Sequence, residues 1–484
     1  MQFGQSGLKT GTWNALGQRL TEQKIIDAID KLEKHNINIT SLIIDDNWQS
    51  IDYRGDSQFQ YGWVEFEAEP EAFPNGLKAA ISKIRQRSPK IQHIAVWHAL
   101  LGYWGGISSD GKLAKKYKTI EVIREEAKRR NLPLGGKMTV IAKDDVHQFY
   151  DDFYQFLSDA GVDGVKTDAQ FMVDMWLSAS VRRELINTYL DTWNLTSLRY
   201  FSVKAISCMS QIPQALFNSQ MIPNRPALLV RNSDDFFPQI PSSHPWHVWT
   251  NAYNSIFMEY LNVLPDWDMF QTVHDYSGFH AAARCVSGGP IYITDVPGEH
   301  NLNLIGQMTG LTPKSKTVIF RPSVLGKAIY PYIGYDDDLL LKVGSYHGKA
   351  SAPMKLDDPT SLIVGSLDVR GYDIFTAFQA VPLSGDNVAI VASSISMKEN
   401  GRVSVAVKLK ALGVFGIYIS TLPNMTLQED FIVTLQDQAV PVETVGVSQS
   451  DQHVLEINIE KAWKDMKLEP GRLDEVEIKV SFAG

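Results

Sequence analysis

Across the first 310 or so residues, short apolar runs alternate with segments whose apolar positions recur at helical spacing. Eight runs read as strands: KTGTWNAL (9–16), TSLIIDD (40–46), IQHIAVWHA (91–99), GVDGVKTD (161–168), YFSVKAIS (200–207), ALLVRNSD (227–234), NVLPDWD (262–268) and PIYITD (290–295). Between them, 21–36 opens on a Thr cap and sets Ile25, Ile26, Ile29 and Leu32 on one face. The segment 144–161 begins with acidic residues and stops at Gly161. SASVRRELINTYLDTWN and HPWHVWTNAYNSIFMEY also read as helices. Eight strand–helix units in this length predict a (β/α)8 TIM barrel, for which about 250 residues is typical. An open doubly wound sheet would want a G-x-G-x-x-G turn after an early strand, and none is present.

From about 315 the pattern becomes short β-branched runs parted by Gly, Asp, Asn or Pro, from KSKTVIF through YDIFTAFQAV to EVEIKVSF. These predict a C-terminal all-β sandwich. The expected domains are therefore a barrel over 1–312 and a sandwich over 313–484.

Composition narrows the function. At 44% apolar and 21% charged residues the chain is globular, and its net charge of −9 disfavours nonspecific nucleic-acid binding. No apolar run approaches a membrane span, and MQFGQSGLKT has no secretory pattern, so a cytoplasmic location is expected. Two cysteines, Cys208 and Cys285, cannot make a disulfide framework. Ten of the eleven tryptophans fall before residue 268, within the predicted barrel.

Barrel chemistry lies at the C-terminal ends of the strands. Those ends carry Asp45-Asp46-Asn47-Trp48, Trp97-His98, Lys166-Thr167-Asp168, Ser207-Cys208, Arg231-Asn232-Ser233-Asp234-Asp235, Asp266-Trp267-Asp268 and Thr294-Asp295. An acidic cup with indole walls fits a divalent metal or a sugar. No H-E-x-x-H helix is present, and Trp48, Trp97 and Trp267 beside the carboxylates favour sugar, with no metal or cofactor expected. Glycoside cleavage needs an ionised carboxylate and a second carboxyl that holds its proton. Lys166 shares a strand face with Asp168 and would favour its ionised form, which suits a nucleophile. Asp234 and Asp235 lie near other carboxylates, so one of them should hold its proton and act as acid/base. Each also has a plainer reading: Asp168 as a helix cap, the Asp234-Asp235 pair as a turn, Trp97 and Trp267 as core, and Cys208 as a small buried hydrophobe. The histidines at 98, 244 and 247 read as structural.

The motifs VDGVKTDAQ, RNSDDFFP, LIIDDNWQ, VWHALLGYWGG, PDWDMFQ and SGGPIYITDVPGEHN resemble the raffinose synthase and seed-imbibition-type alkaline α-galactosidase group of glycoside hydrolase family 36. The resemblance covers about 1–305 closely and the tail loosely. It implies that Asp168 is the nucleophile and Asp235 the acid/base. It implies that Arg231 and Lys166 bind galactose hydroxyls and that Asp45 and Asp46 read O4 and O6. Trp97 would form a wall and Cys208 would lie near the 2-hydroxyl. Asp234, Trp267 and Asp268 are further candidates for substrate contact. Members of the group carry an N-terminal β-domain, whereas this sequence opens almost at strand 1.

The implied activity is retaining hydrolysis of terminal α-galactose from raffinose-type oligosaccharides through a covalent galactosyl-enzyme. The alternatives are transfer from galactinol to sucrose and noncatalytic galactoside binding. The expected partner is a small oligosaccharide, with no nucleic acid and no membrane.

Overall fold

The structure, a computed structural model, describes residues 7–126, 132–221, 223, 225–322, 324–337, 341–345, 362–367, 390–397, 402–419, 421–449, 451–471 and 474–483. The chain divides into two compact units. One comprises Met1–Ser277 with Gly289–Asn301, and the other Gly278–Gly288 with Leu302–Gly484.

The first unit is a (β/α)8 barrel. Its strands are β1 (Lys9–Gly11), β2 (Ser41–Ile44), β3 (His93–Ala99), β4 (Gly164–Asp168), β5 (Ala205–Ser207), β6 (Leu228–Arg231), β7 (Val263–Asp266) and β8 (Tyr292–Ile293). They pair in parallel in chain order, and β8 returns to pair with β1. Among the described residues, the seam between β7 and β8 has no strand ladder. It is closed just past β7, where Phe270 donates its N–H to Tyr292 O (3.2 Å) and accepts from Thr294 N (2.9 Å).

Sequence features explain the helices. In α1 (Glu22–Lys34) the Thr21 hydroxyl accepts from Lys24 N, and Ile25, Ile26, Ile29 and Leu32 are buried. In α2 (Gly76–Arg87) Leu77, Ala80, Ile81 and Ile84 form the inner stripe. Helix α3 (Val146–Asp159) buries Phe149, Tyr150, Phe153, Tyr154 and Leu157, and Gly161 follows it at φ +86°. Helices α4 (Ala179–Phe201) and α5 (Ser243–Met258) follow β4 and β6.

Several boundaries differ from the sequence expectation. The strand expected over 200–207 begins only at Ala205, because α4 runs on through Tyr200 and Phe201 and ends at Ser202, φ +57°. The first strand stops at Gly11, ahead of a left-handed Asn14. Two antiparallel hairpins were not anticipated. One pairs Gln49–Ile51 with Trp63–Ala68 and the other pairs Thr119–Arg124 with Gly136–Ile141. Both lie in βα connections, on the side of the barrel where the strands end.

The second unit carries β-sheets. A five-stranded antiparallel sheet built on Arg402–Leu409 and Val476–Ala483 and a three-stranded sheet built on Val414–Tyr418 and Val454–Asn458 form a sandwich. Its core is Val407, Leu409, Phe431, Val433, Leu435, Leu455, Ile457, Trp463, Ile478 and Val480. The strand expected over 372–381 lies outside the described residues.

Candidate active site

Alternation along each strand decides which side chains enter the barrel mouth. On β4, Lys166 and Asp168 face inward, while Thr167 faces outward to a hydrogen-bonded set formed by His98, Trp193 and Tyr154. Burial holds the His98 imidazole neutral, at a pKa of about 4, against the opposing effects of the Ala99 carbonyl and Asp168. Its role is to pack β3 and β4 against α3 and α4.

Four strand ends are followed by non-glycine residues in the left-handed region: Asn47 (φ +76°), Ala169 (φ +54°), Met209 (φ +46°) and Asp268 (φ +68°). Such conformations cost energy and concentrate where a fold fixes functional groups. Here each turns the chain sharply beside a polar residue, namely Asp45-Asp46, Asp168, Cys208 or Asp266.

Asp168 is held through both oxygens. Trp97 donates its indole N–H to Oδ2 at 2.9 Å, and Ala169 N donates to Oδ1 at 2.6 Å. Trp97 thus sits against the carboxylate, and Trp104 lies across from it with ring centroids 6.0 Å apart. Lys166 makes its closest contact with Asp45, Nζ to Oδ2 at 2.7 Å, and both side chains are buried. Burial opposes the lysine charge, but Asp45, with smaller contributions from Cys208 and Asp168, outweighs it and raises the Lys166 pKa.

Asp46 accepts from Trp104 Nε1 (2.8 Å) and from Asn47 N (2.6 Å). Burial raises its pKa to about 7, with Asp45 adding to the shift and the hydrogen bonds opposing it. Trp104 is a site residue that sequence reading did not single out. Its sequence, GYWGG, has no charge to flag it, and only the fold brings it to Asp46. Arg124 fixes this loop, donating from Nη1 to Trp104 O (2.9 Å) and from Nη2 to Phe59 O (3.2 Å).

Opposite lies an arginine fork. Arg231 is buried and reaches Asp268 (2.8 Å), Asp266 (3.3 Å) and Asp235 (3.4 Å). Asp268 also accepts from Phe236 N (2.7 Å), which fixes the chain immediately after Asp235. The two adjacent acids then separate. Asp234 is exposed, whereas the Asp235 side chain keeps only 26% exposure at the mouth. Burial and then repulsion from Asp268 raise the Asp235 pKa to about 7, against the pull of Lys166 and Arg231. Asp268 itself is lowered, because Arg231, His247 and Lys166 overcome its burial. Cys208 is fully buried within reach of the fields of Asp168, Arg231, Lys166 and Asp235. Burial pushes its thiol up, so it is a neutral group there.

Three expected members lie elsewhere. Trp267, between the inward Asp266 and Asp268, points the other way and donates to Ser255 Oγ on α5 (3.1 Å). It is a buried spacer between strand and helix, not a wall of the cup. Trp48 is also fully buried, its N–H on Trp97 O (2.6 Å). Asp295 is committed to Thr272, which donates through both its N–H and its hydroxyl, and to His300 (3.1 Å). A pocket beneath α1, lined by Ile25, Ile29, Leu32 and Leu42, includes neither Asp168 nor Asp235. Among the described residues, no group of three or more His, Cys, Asp and Glu could hold a metal ion. No helix among them is long and apolar enough to cross a membrane.

The arrangement sets a carboxylate held by two N–H donors and a partly exposed carboxyl with a raised pKa around one cluster of charges. Glycoside chemistry uses two carboxyl groups held in such different surroundings. A family model described as raffinose synthase or seed imbibition protein Sip1 matches residues 65–318. The probable galactinol–sucrose galactosyltransferase 6 of Arabidopsis thaliana is 33% identical over 321 residues, 61% of this chain and 41% of that protein. Stachyose synthase of Pisum sativum is 26% identical over 294 residues, 56% of this chain and 33% of that protein. The chain spans about two fifths of the length of the first curated relatives it matches. Among solved structures, α-galactosidase I from Mortierella vinacea aligns at 12% identity and a TM-score of 0.44, over 99% of this chain and 96% of that one.

Proposed function

The chain belongs to the raffinose synthase and seed imbibition protein family, and from that premise we propose that it transfers α-galactosyl groups with retention of configuration. Asp168 attacks the anomeric carbon of an α-galactoside while Asp235 gives its proton to the departing oxygen. The product is a covalent β-galactosyl ester on Asp168. An acceptor hydroxyl then attacks the same carbon, the ester bond breaks with its electron pair returning to Asp168, and Asp235 takes the acceptor's proton. Lys166, Asp45 and Asp46 would read the galactose hydroxyls, and Trp97 and Trp104 would line the ring. Arg231 would hold Asp266 and Asp268 in place and keep Asp235 oriented.

The observation that carries this reading is the contrast between the two carboxyls. Asp168 is bound by two N–H donors, whereas Asp235 is raised to about 7 beside Asp268. The sequence alone put hydrolysis first and transfer second. Relatives named as galactinol–sucrose galactosyltransferases support the reverse order. Hydrolysis remains the competing outcome of the same intermediate, since Asp235 is open to water.

The test is the product profile from galactinol with and without sucrose. A trisaccharide carrying the galactose in α linkage is expected with sucrose, and free galactose without it. Free galactose in both cases would leave hydrolysis alone. No turnover of galactinol, raffinose or an aryl α-galactoside would overturn the proposal.

A further inference from the structure

We infer that the segment following Asp235 forms the acceptor subsite, an apolar platform for a neutral sugar of one or two rings. This rests on the galactosyl-transfer reading above. In that chemistry the acceptor hydroxyl must reach Asp235, because that carboxylate takes its proton. The acceptor therefore lies against whatever flanks Asp235 at the mouth. The chain there is tied down on both sides of Phe236, by Phe236 N on Asp268 (2.7 Å) and by Asn14 Nδ2 on Phe236 O (3.0 Å). Beyond this anchor the backbone makes two turns, Ile240 N to Phe237 O (3.2 Å) and Ser243 N to Ile240 O (3.0 Å), and then enters α5.

This short segment displays a run of large apolar side chains. Phe237 is 46% exposed, Ile240 48% and Trp246 44%. Trp246 lies in the first turn of α5, at the mouth end, and is stacked on Trp249 with centroids 5.2 Å apart and planes at 19°. Trp249 is in turn stacked on Tyr253 at 4.5 Å. These exposed side chains follow the acid/base directly along the chain, and a sugar ring presents a C–H face that aromatic rings cover. The exposed Asp234, next to the acid/base, supplies a carboxylate that accepts from sugar hydroxyls. The platform carries no cationic residue between 232 and 243, which fits a neutral acceptor.

Transfer and hydrolysis divide one galactosyl-enzyme, so their ratio is independent of how much active protein a variant yields. The experiment incubates the full chain with galactinol and a range of sucrose concentrations and measures raffinose-type product against free galactose. Phe237→Ala and Trp246→Ala are expected to lower the transfer-to-hydrolysis ratio about tenfold at subsaturating sucrose, and Ile240→Ser to lower it less. A ratio within twofold of wild type in all three overturns the subsite. A wild type that releases only free galactose at saturating sucrose also overturns it, while leaving the roles of Asp168 and Asp235 standing. A wild type with no turnover removes the parent reading as well.

Discussion

Lys166 Nζ and Asp45 Oδ2 lie 2.7 Å apart with both side chains buried, joining β2 and β4 across the barrel mouth. Removing one partner leaves the other charge without compensation, which typically costs about 3–5 kcal/mol. Lys166→Met is therefore expected to lower the stability of the barrel by about 3 kcal/mol, read as a fall in the denaturant midpoint. Lys166→Met with Asp45→Leu should recover part of that loss. If the single variant unfolds like wild type, the pair is not a structural tie.

The two carboxyls should fail differently. Asp168→Gly is expected to abolish turnover of every galactoside. Asp235→Asn should slow galactinol turnover by about 10²–10⁴-fold, the usual contribution of a general acid. It should spare donors whose leaving group departs without a proton. Comparing galactinol with a nitrophenyl α-galactoside checks this; equal losses on both would remove Asp235 from the acid role. In a complex with a galactose-like ligand the two carboxyl groups should stand about 5–5.5 Å apart, as retention requires.

Two acids, the buried Asp46 and the partly exposed Asp235, are raised to about 7. For catalysis, Asp235 must carry its proton, so kcat/KM should fall as pH rises through about 7. For stability the sign follows from proton binding. Between their unfolded values near 4 and about 7, both groups bind protons more tightly when folded. Their contribution is therefore present at low pH and is lost as pH rises across that window. Asp46→Asn should flatten this part of the stability curve, measured by chemical denaturation at a series of pH values.

Trp104 donates to Asp46, and this hydrogen bond works against the rise in the Asp46 pKa. Trp104→Phe removes the donor and keeps an aromatic ring. It is expected to move the Asp46 titration upward and to raise KM for the galactosyl donor more than it lowers kcat, by about three- to tenfold, in line with losing one hydrogen bond, worth about 0.5–1.5 kcal/mol. A change confined to kcat would place Trp104 in the chemical step instead.

The barrel was legible because its strands are apolar runs that end in acids, a pattern local to each strand. Asp168 and Asp235 stood out because their companions, Lys166 and Arg231, lie within four residues. What could not be read depended on contacts far apart in sequence. The Arg231 fork to Asp266 and Asp268 joins two strands, and the Trp104–Asp46 bond spans 58 residues. Trp267 was misplaced for a reason the sequence did hold. In an alternating Asp-Trp-Asp strand end, two acids facing in require the indole to face out. The start of β5 was set too early because Tyr200 and Phe201 suit a strand equally well, and only the length of α4 decides the matter.

Seven of the eight seams between barrel strands are ladders, and the eighth is a clasp. Phe270 fastens it through two backbone hydrogen bonds, and the Thr272–Asp295 link sits immediately beside it. A ring with one clasp has a preferred place to breathe. Opening there is expected to part the chain carrying Asp266 and Asp268 from the chain carrying Asp295 before the ladder-paired seams give way. Hydrogen exchange should accordingly find the amides of Phe270 and Thr294 less protected than those of β2 or β3, and Thr272→Val should widen that difference. Asp168, on β4, lies between two ladder-paired seams, whereas the Arg231 fork reaches Asp266 and Asp268 beside the clasped one.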